Sequence, residues 1–161
     1  MRVRAFALAM AVALACVSCG STGSTSAASS TTAPSTGSAA TDAVNIAGTW
    51  TGTATDSTGP GSLTWVVTQT AASFTGTVTL VDTGTSAKGK GTVSGTISGS
   101  AVHFTVTIPA GGFDAPFAAC AATTTGDAVV INATMSATYS GSGSGSCSVT
   151  ISGGQFTLTK S

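Results

Sequence analysis

The sequence predicts an all-β fold, and both composition and patterning indicate it. Of 161 residues, 31 are Thr, 23 are Ser and 21 are Gly, nearly half of the chain. Strong helix formers such as Glu, Gln and Leu are scarce, whereas β-branched residues that favour strands abound. From about residue 44, small or apolar residues alternate with Thr and Ser, which is the period of half-buried strands. The length is typical of one domain.

Eight strands are predicted in residues 44–161 from this alternation and from the turn residues between them. They cover residues 48–55, 63–69, 74–80, 91–99, 102–108, 117–125, 129–139 and 149–158. A Gly-Pro turn over 58–61 separates the first pair, and residues 109–116, with a proline at each end, form the longest break. Gly153 and Gly154 in the last strand predict a bulge or corner. Short connections without a helix favour sequential antiparallel pairing.

The predicted strands have one apolar face and one hydroxyl face. The apolar faces carry Trp50, Trp65, Phe74, Phe104 and Ile131. An outer surface of Thr and Ser does not suit lipid, so a closed barrel of these strands is predicted to be soluble. Eight strands enclose room for packed side chains or for one small ligand, and a two-sheet sandwich is the alternative architecture. Inner glycines would either permit strong strand coiling or leave space unfilled.

The first 19 residues have the features of an export signal with a lipidation site. Arg2 and Arg4 precede the uncharged, mostly apolar residues 5–17, which as a helix would span about 20 Å, short of the roughly 30 Å of a bilayer core. Small residues then lead to Cys19, which is followed by Gly20. This pattern resembles a bacterial lipoprotein signal, in which the cysteine is lipidated and becomes the new first residue.

That resemblance implies a protein anchored in the bacterial cell envelope through Cys19, with Cys16 as the alternative acceptor. Gly20 after the acceptor implies transport to the outer membrane where the cell has one. Ordinary secretion, with both cysteines removed, is the other interpretation. Residues 20–43 are almost entirely Ser, Thr, Gly and Ala and are predicted to be a disordered tether with a reach of roughly 25 Å.

A second resemblance lies in the strands. The sequence Ala-Gly-Thr-Trp at 47–50 and the late strand residues 156–158 resemble the opening and ending of calycin barrels, the lipocalins and avidins. These are eight-stranded up-and-down barrels that bind small molecules, and the resemblance implies that Trp50 closes the barrel base. Residues 74–77 extend the avidin-like stretch, but biotin binding is not implied, because no tryptophan follows Trp65. The domain also resembles small Gly/Thr-rich β domains of unknown role on bacterial lipoproteins.

Charged residues are few and argue against several functions. Five Asp balance five Lys or Arg, there is no Glu, and the zero net charge argues against nucleic-acid binding. Beyond the predicted signal, in residues 20–161, no Cys-x-x-Cys or His-x-x-x-His spacing is present, so neither a metal nor a cofactor is predicted. The one histidine, His103, is predicted to face solvent opposite Phe104. A hydrolase would require it to lie in a cleft beside a serine and an aspartate.

Cys120 and Cys147 are the two cysteines of the predicted domain. Export would place them in a compartment where disulfides persist, and one predicted hairpin separates them. Neither has a basic sequence neighbour that would favour a reactive thiol. We therefore predict a disulfide at one end of the barrel.

The function predicted from these features is non-catalytic binding of a small hydrophobic molecule or surface ligand by a monomeric calycin-like barrel. The alternative is a structural cell-envelope module with a filled core and no ligand. A ligand cavity of at least ~300 Å³ would distinguish the two. The inner aromatics expected beside such a cavity, or otherwise in a plain core, are Trp50, Trp65, Phe74, Phe104 and Tyr139.

Overall fold

The structure, a computed structural model, describes residues 42–161, which form a closed antiparallel barrel. Its strands are β1 (Gly48–Asp56), β2 (Gly59–Thr70), β3 (Ser73–Asp82), β4 (Lys88–Ser98), β5 (Ala101–Ile108), β6 (Cys120–Ile131), β7 (Thr134–Gly145) and β8 (Val149–Lys160). Each strand pairs with the next, and β8 pairs with β1. The predicted eight-stranded up-and-down barrel is confirmed, and the sandwich alternative is wrong because the sheet closes on itself. The predicted signal, the lipidation site and most of the tether lie outside the described residues.

The predicted turn over 58–61 was wrong in part, because β2 already begins at Gly59. The larger boundary errors are in the sixth and seventh predicted strands. Breaks were predicted at 126–128 and 140–148, but β6 and β7 continue through most of these residues. The turn between them lies at Asn132 and Ala133, where Asn132 adopts a left-handed backbone with a φ of 56°. Asn tolerates this conformation better than most residues, which suits a two-residue hairpin. Glycine and serine disfavour strands only weakly, so pairing with neighbouring strands overrides that preference here.

The boundary error also placed Ile131 on the wrong face. Ile131 was predicted to point inward, but it is 67% exposed. Because β6 is continuous, its inward positions at this end are Gly126, Ala128 and Val130, all buried. His103 faces solvent, as predicted, and its neighbour Phe104 is buried.

The inner glycines permit close approach of neighbouring groups and do not leave space. A Cβ on Gly52 would overlap the carbonyl of Thr157, and one on Gly154 would overlap the ring of Tyr139. The glycines therefore allow tight strand coiling and ring packing. The predicted irregularity at Gly153 and Gly154 is confirmed, since Gly153 has a φ of 62° and the β7–β8 register shifts opposite it.

One end of the barrel, which we call the closed end, is filled by side chains and by the segment that precedes β1. Ile46, Trp50, Met135 and Leu158 are fully buried there. The backbone N–H of Ile46 donates to Gln69 Oε1 at 2.7 Å, and Trp50 Nε1 donates to the carbonyl of Ile46 at 2.8 Å. The incoming chain is thus hydrogen-bonded across the base, and Trp50 has the basal position that the calycin resemblance implies.

Candidate functional site

The opposite end of the barrel contains a cavity of about 360 Å³, which we call the open-end cavity. Its floor is aromatic. Trp65 packs edge-to-face against Phe104 and Phe156, with ring centroids 5.1 Å apart in both pairs. Tyr139 lies 6.2 Å from Phe156 and extends the same layer. These four residues line the cavity and separate it from the closed end.

The cavity exists because small residues face each other across neighbouring strands. Ala54 of β1 pairs with Gly61 of β2, and Ala122 of β6 pairs with Gly143 of β7. All four line the cavity, and none has a side chain long enough to reach across the barrel. The larger wall side chains are apolar, among them Leu63, Leu80, Val106 and Ile108. The interior is therefore preformed, mostly apolar and open to a small molecule.

The mouth is bordered by the loop between β5 and β6 and by the turn between β7 and β8. Phe113 of the loop forms a bridge with Gly89 at the start of β4 and lines the cavity together with Phe117. A disulfide joins Cys120 to Cys147, with Cα atoms 5.1 Å apart, and connects the end of the loop to the turn. The predicted disulfide is confirmed, and both cysteines line the cavity.

Two carboxylates are held at fixed positions in the wall. Asp56 Oδ2 accepts a hydrogen bond from the Tyr139 hydroxyl at 2.8 Å. Burial, together with this bond, raises the pKa of Tyr139 above its ordinary value. Asp82 accepts a hydrogen bond from the backbone N–H of Thr85 at 2.6 Å, and this bond lowers the pKa of Asp82. At neutral pH the phenol is therefore neutral and Asp82 is ionised.

Trp65 carries a buried hydrogen-bond donor without an acceptor. Its Nε1 is the one such side-chain atom in the described part of the chain. Its cross-strand partner Trp50 is equally buried, but its N–H is bonded to Ile46. An unsatisfied buried donor costs about 1–3 kcal/mol, and in native proteins it calls for an explanation.

Three of the five aromatics predicted near a cavity line it, namely Trp65, Phe104 and Tyr139. Trp50 and Phe74 are buried outside the lining, in the core.

The sequence analysis missed Phe156 in the floor and Asp56 and Asp82 in the wall. Asp56 and Asp82 lie just beyond the predicted strands 48–55 and 74–80, so the predicted alternation did not include them. Extending the inward alternation by one step, from Ala54 to Asp56 and from Leu80 to Asp82, would have identified both.

His103 lies on the hydroxyl-rich outer surface. Its Nδ1 is 2.8 Å from Asp127 Oδ1, and the two side chains are 61% and 80% exposed. In residues 42–161 no serine or threonine hydroxyl is hydrogen-bonded to His103. His103 and Asp127 line a shallow depression of the outer surface together with Ser98 and Ser136.

Residues 42–161 contain no group of three His, Cys, Asp or Glu side chains that could hold a metal ion. The same residues include no helix long and apolar enough to cross a bilayer. Comparison of the chain with models of protein families, with curated proteins and with solved structures finds no match.

Proposed function

We propose that the barrel is a non-catalytic binding protein that takes a small, largely apolar molecule into the open-end cavity. The observation that carries this proposal is the contrast between a filled end and a cavity of about 360 Å³ in one small barrel. Ligand sites typically measure about 300–1,000 Å³ and are lined by apolar and aromatic side chains with a few polar groups. The open-end cavity has this size and this lining.

The small side chains of Ala54 and Ala122 in the cavity wall support binding over the alternative of a purely structural module. A module without a ligand would gain stability from larger residues at positions such as Ala54 and Ala122, since interior space costs free energy. Small residues at paired positions keep the space open along two separate strand pairs. The cavity volume also exceeds the threshold that separates a ligand site from an ordinary packing gap.

Filling the cavity tests this proposal. Ala122→Phe places a ring beside Gly143 inside the cavity, whereas Thr123→Phe adds the same ring to the exposed outer face of the same strand. Binding of decanol, measured by isothermal titration calorimetry, should be lost in Ala122→Phe and retained in Thr123→Phe. Circular dichroism and thermal unfolding check that both variants fold. If decanol does not bind the natural protein, or binds Ala122→Phe equally well, the proposed function is wrong.

We further propose that the chain is held at the bacterial cell envelope by a lipid on Cys19, in the outer membrane of a cell that has one. The support is the sequence pattern of residues 1–19, and secretion is the alternative. Cys19→Ser should move the protein from the membrane fraction to the soluble fraction or leave its signal uncleaved, and Cys16→Ser is the matched control. Release by Cys16→Ser alone would assign the lipid to Cys16, and a soluble natural protein would favour secretion.

A further inference from the structure

The open-end cavity carries ionisable groups of one sign. The alternation of β1 directs Trp50, Ala54 and then Asp56 inward, and that of β3 directs Leu80 and then Asp82 inward. Asp56 and Asp82 are the acidic residues in the lining, and no Lys, Arg or His is present among the lining residues. The interior is therefore apolar with a negative rim.

The two carboxylates flank the start of β2, where the inward positions Gly59 and Gly61 are glycines. Asp56 pairs with Gly59, and Asp82 pairs with Gly61. The two carboxylates therefore lie on β1 and β3, the strands on either side of β2. Asp82 Oδ2 lies 3.7 Å from the point where a Cβ on Gly59 would be. The missing side chain at Gly59 leaves room beside the Asp82 carboxylate, whereas the carbonyl of Val81 occupies the space at Gly61.

None of the basic residues of the described chain lines the cavity, although Lys88, which pairs with Val81, lies at the same end of the barrel. Lys160 Nζ is at the closed end, 3.1 Å from the carbonyl of Asn45 and 5.6 Å from the Trp50 ring centroid. Lys88 and Lys90 are exposed and do not line the cavity. In residues 42–161 neither Asp56 nor Asp82 forms a salt bridge. The negative charge at the rim has no cationic partner within the cavity lining.

We propose that the open-end cavity selects an apolar molecule that carries a cationic amine, with its ammonium group at Asp56 and Asp82 and its apolar part on the aromatic floor. This inference rests on the proposed function and specifies its ligand class. Carboxylates at the mouth of an apolar space attract a cation and repel an anion. The aromatic floor of Trp65, Phe104, Phe156 and Tyr139 provides the apolar surface for the rest of the molecule. Fatty acids and other anionic amphiphiles are the class that it should exclude.

A matched series of ligands tests the charge preference. Decylamine, decanol and decanoate share one chain and differ in their head groups, which are cationic, neutral and anionic at neutral pH. Calorimetric titration of the full chain at low salt should give decylamine the tightest binding, at least about tenfold tighter than decanol, and decanoate the weakest. High salt should reduce the preference for the amine. Equal binding of decylamine and decanol, or tighter binding of decanoate, would overturn the inference while leaving the proposed function intact.

Asparagine variants test whether Asp56 and Asp82 cause the preference for decylamine. Asp82→Asn and Asp56→Asn keep a side-chain oxygen that can accept the turn hydrogen bonds but remove the charge, and Asp127→Asn makes the same change on the outer surface. In the double variant Asp56→Asn/Asp82→Asn, decylamine and decanol should bind with nearly equal affinity. In Asp127→Asn, the ratio of the two affinities should be the same as in the natural protein. If Asp56→Asn does not fold, Asp82→Asn alone should still lower the ratio. An unchanged ratio in a folded cavity variant contradicts the inference, and failure of all three ligands to bind the natural protein contradicts the proposed function as well.

Discussion

The two ends of the barrel use the same eight strands but differ in what fills them. At the closed end, large side chains such as Trp50 and Leu158 are fully buried, and the Trp50 N–H is satisfied. At the open end, small residues face each other and the Trp65 N–H has no acceptor. Binding sites often retain local features that cost stability, while stability is supplied elsewhere. The contrast supports our proposal that the closed end stabilises the fold and that the open end takes a ligand.

The largest expected effect is that of truncating the closed end. Leu158→Ala should lower the free energy of unfolding by about 2–5 kcal/mol, because it creates a cavity in a packed core. Leu63→Ala, a matched change in the cavity wall, should cost less, because Leu63 is only partly buried and already borders open space. Urea unfolding of both variants measures the difference. Equal losses would mean that the two ends contribute alike.

The disulfide should stabilise the open end by a comparable but smaller amount. It closes a sequence separation of 27 residues, for which the loop-entropy model gives about 3.5 kcal/mol. The double variant Cys120→Ser/Cys147→Ser should lose about 2–4 kcal/mol in urea unfolding, the range usual for disulfides.

Thiol titration supplies the chemical check on this prediction. Reduction of the denatured chain should release two thiols that disappear in the double variant. A variant as stable as the natural protein would show that the mouth does not depend on this bond.

The tryptophan pair isolates the role of hydrogen bonding at equal burial. Trp50→Phe removes a satisfied donor and leaves the buried carbonyl of Ile46 without its partner, whereas Trp65→Phe removes a donor that has no acceptor. Trp50→Phe should therefore be more destabilising than Trp65→Phe by about 1–3 kcal/mol. Thermal or urea unfolding of both single variants tests the order. The opposite order would imply that Trp65 has a partner within the fold.

The smallest expected effect concerns Tyr139, the single tyrosine of the chain. Its pKa is raised in the fold, first by burial and then by the bond to Asp56. A raised folded-state pKa means that Tyr139 favours folding below the unfolded pKa of about 10, and that this contribution is lost as pH rises further. During an alkaline pH titration, phenolate absorbance should therefore appear at a higher pH in the folded protein than in the protein unfolded in urea. Asp56→Asn should lower the pH at which phenolate absorbance appears in the folded protein. If folded and unfolded protein titrate at the same pH, the raised pKa of Tyr139 is contradicted.

The sequence by itself determined the all-β class, the number of strands, their antiparallel order and the two cysteines that pair. These features follow from local signals, because alternation with a period of two needs only neighbouring residues to be recognised. The same signals misplaced the β6–β7 turn, since Asn132 has a weaker turn signature than the glycines nearby. Ile131 was assigned to the wrong face for that reason, because a shift of one residue inverts every side chain of a strand.

Tertiary structure alone decided which end of the barrel is filled. Barrel closure and strand stagger place Ala54 opposite Gly61 and Ala122 opposite Gly143 at one end. The sequence does not show which residues of different strands lie at the same height along the barrel axis. It also decided that Tyr139 bonds Asp56, a partner 83 residues away. Cavity volume and polar satisfaction depend on distances between side chains from distant strands, so they are properties of the closed barrel and not of any single strand.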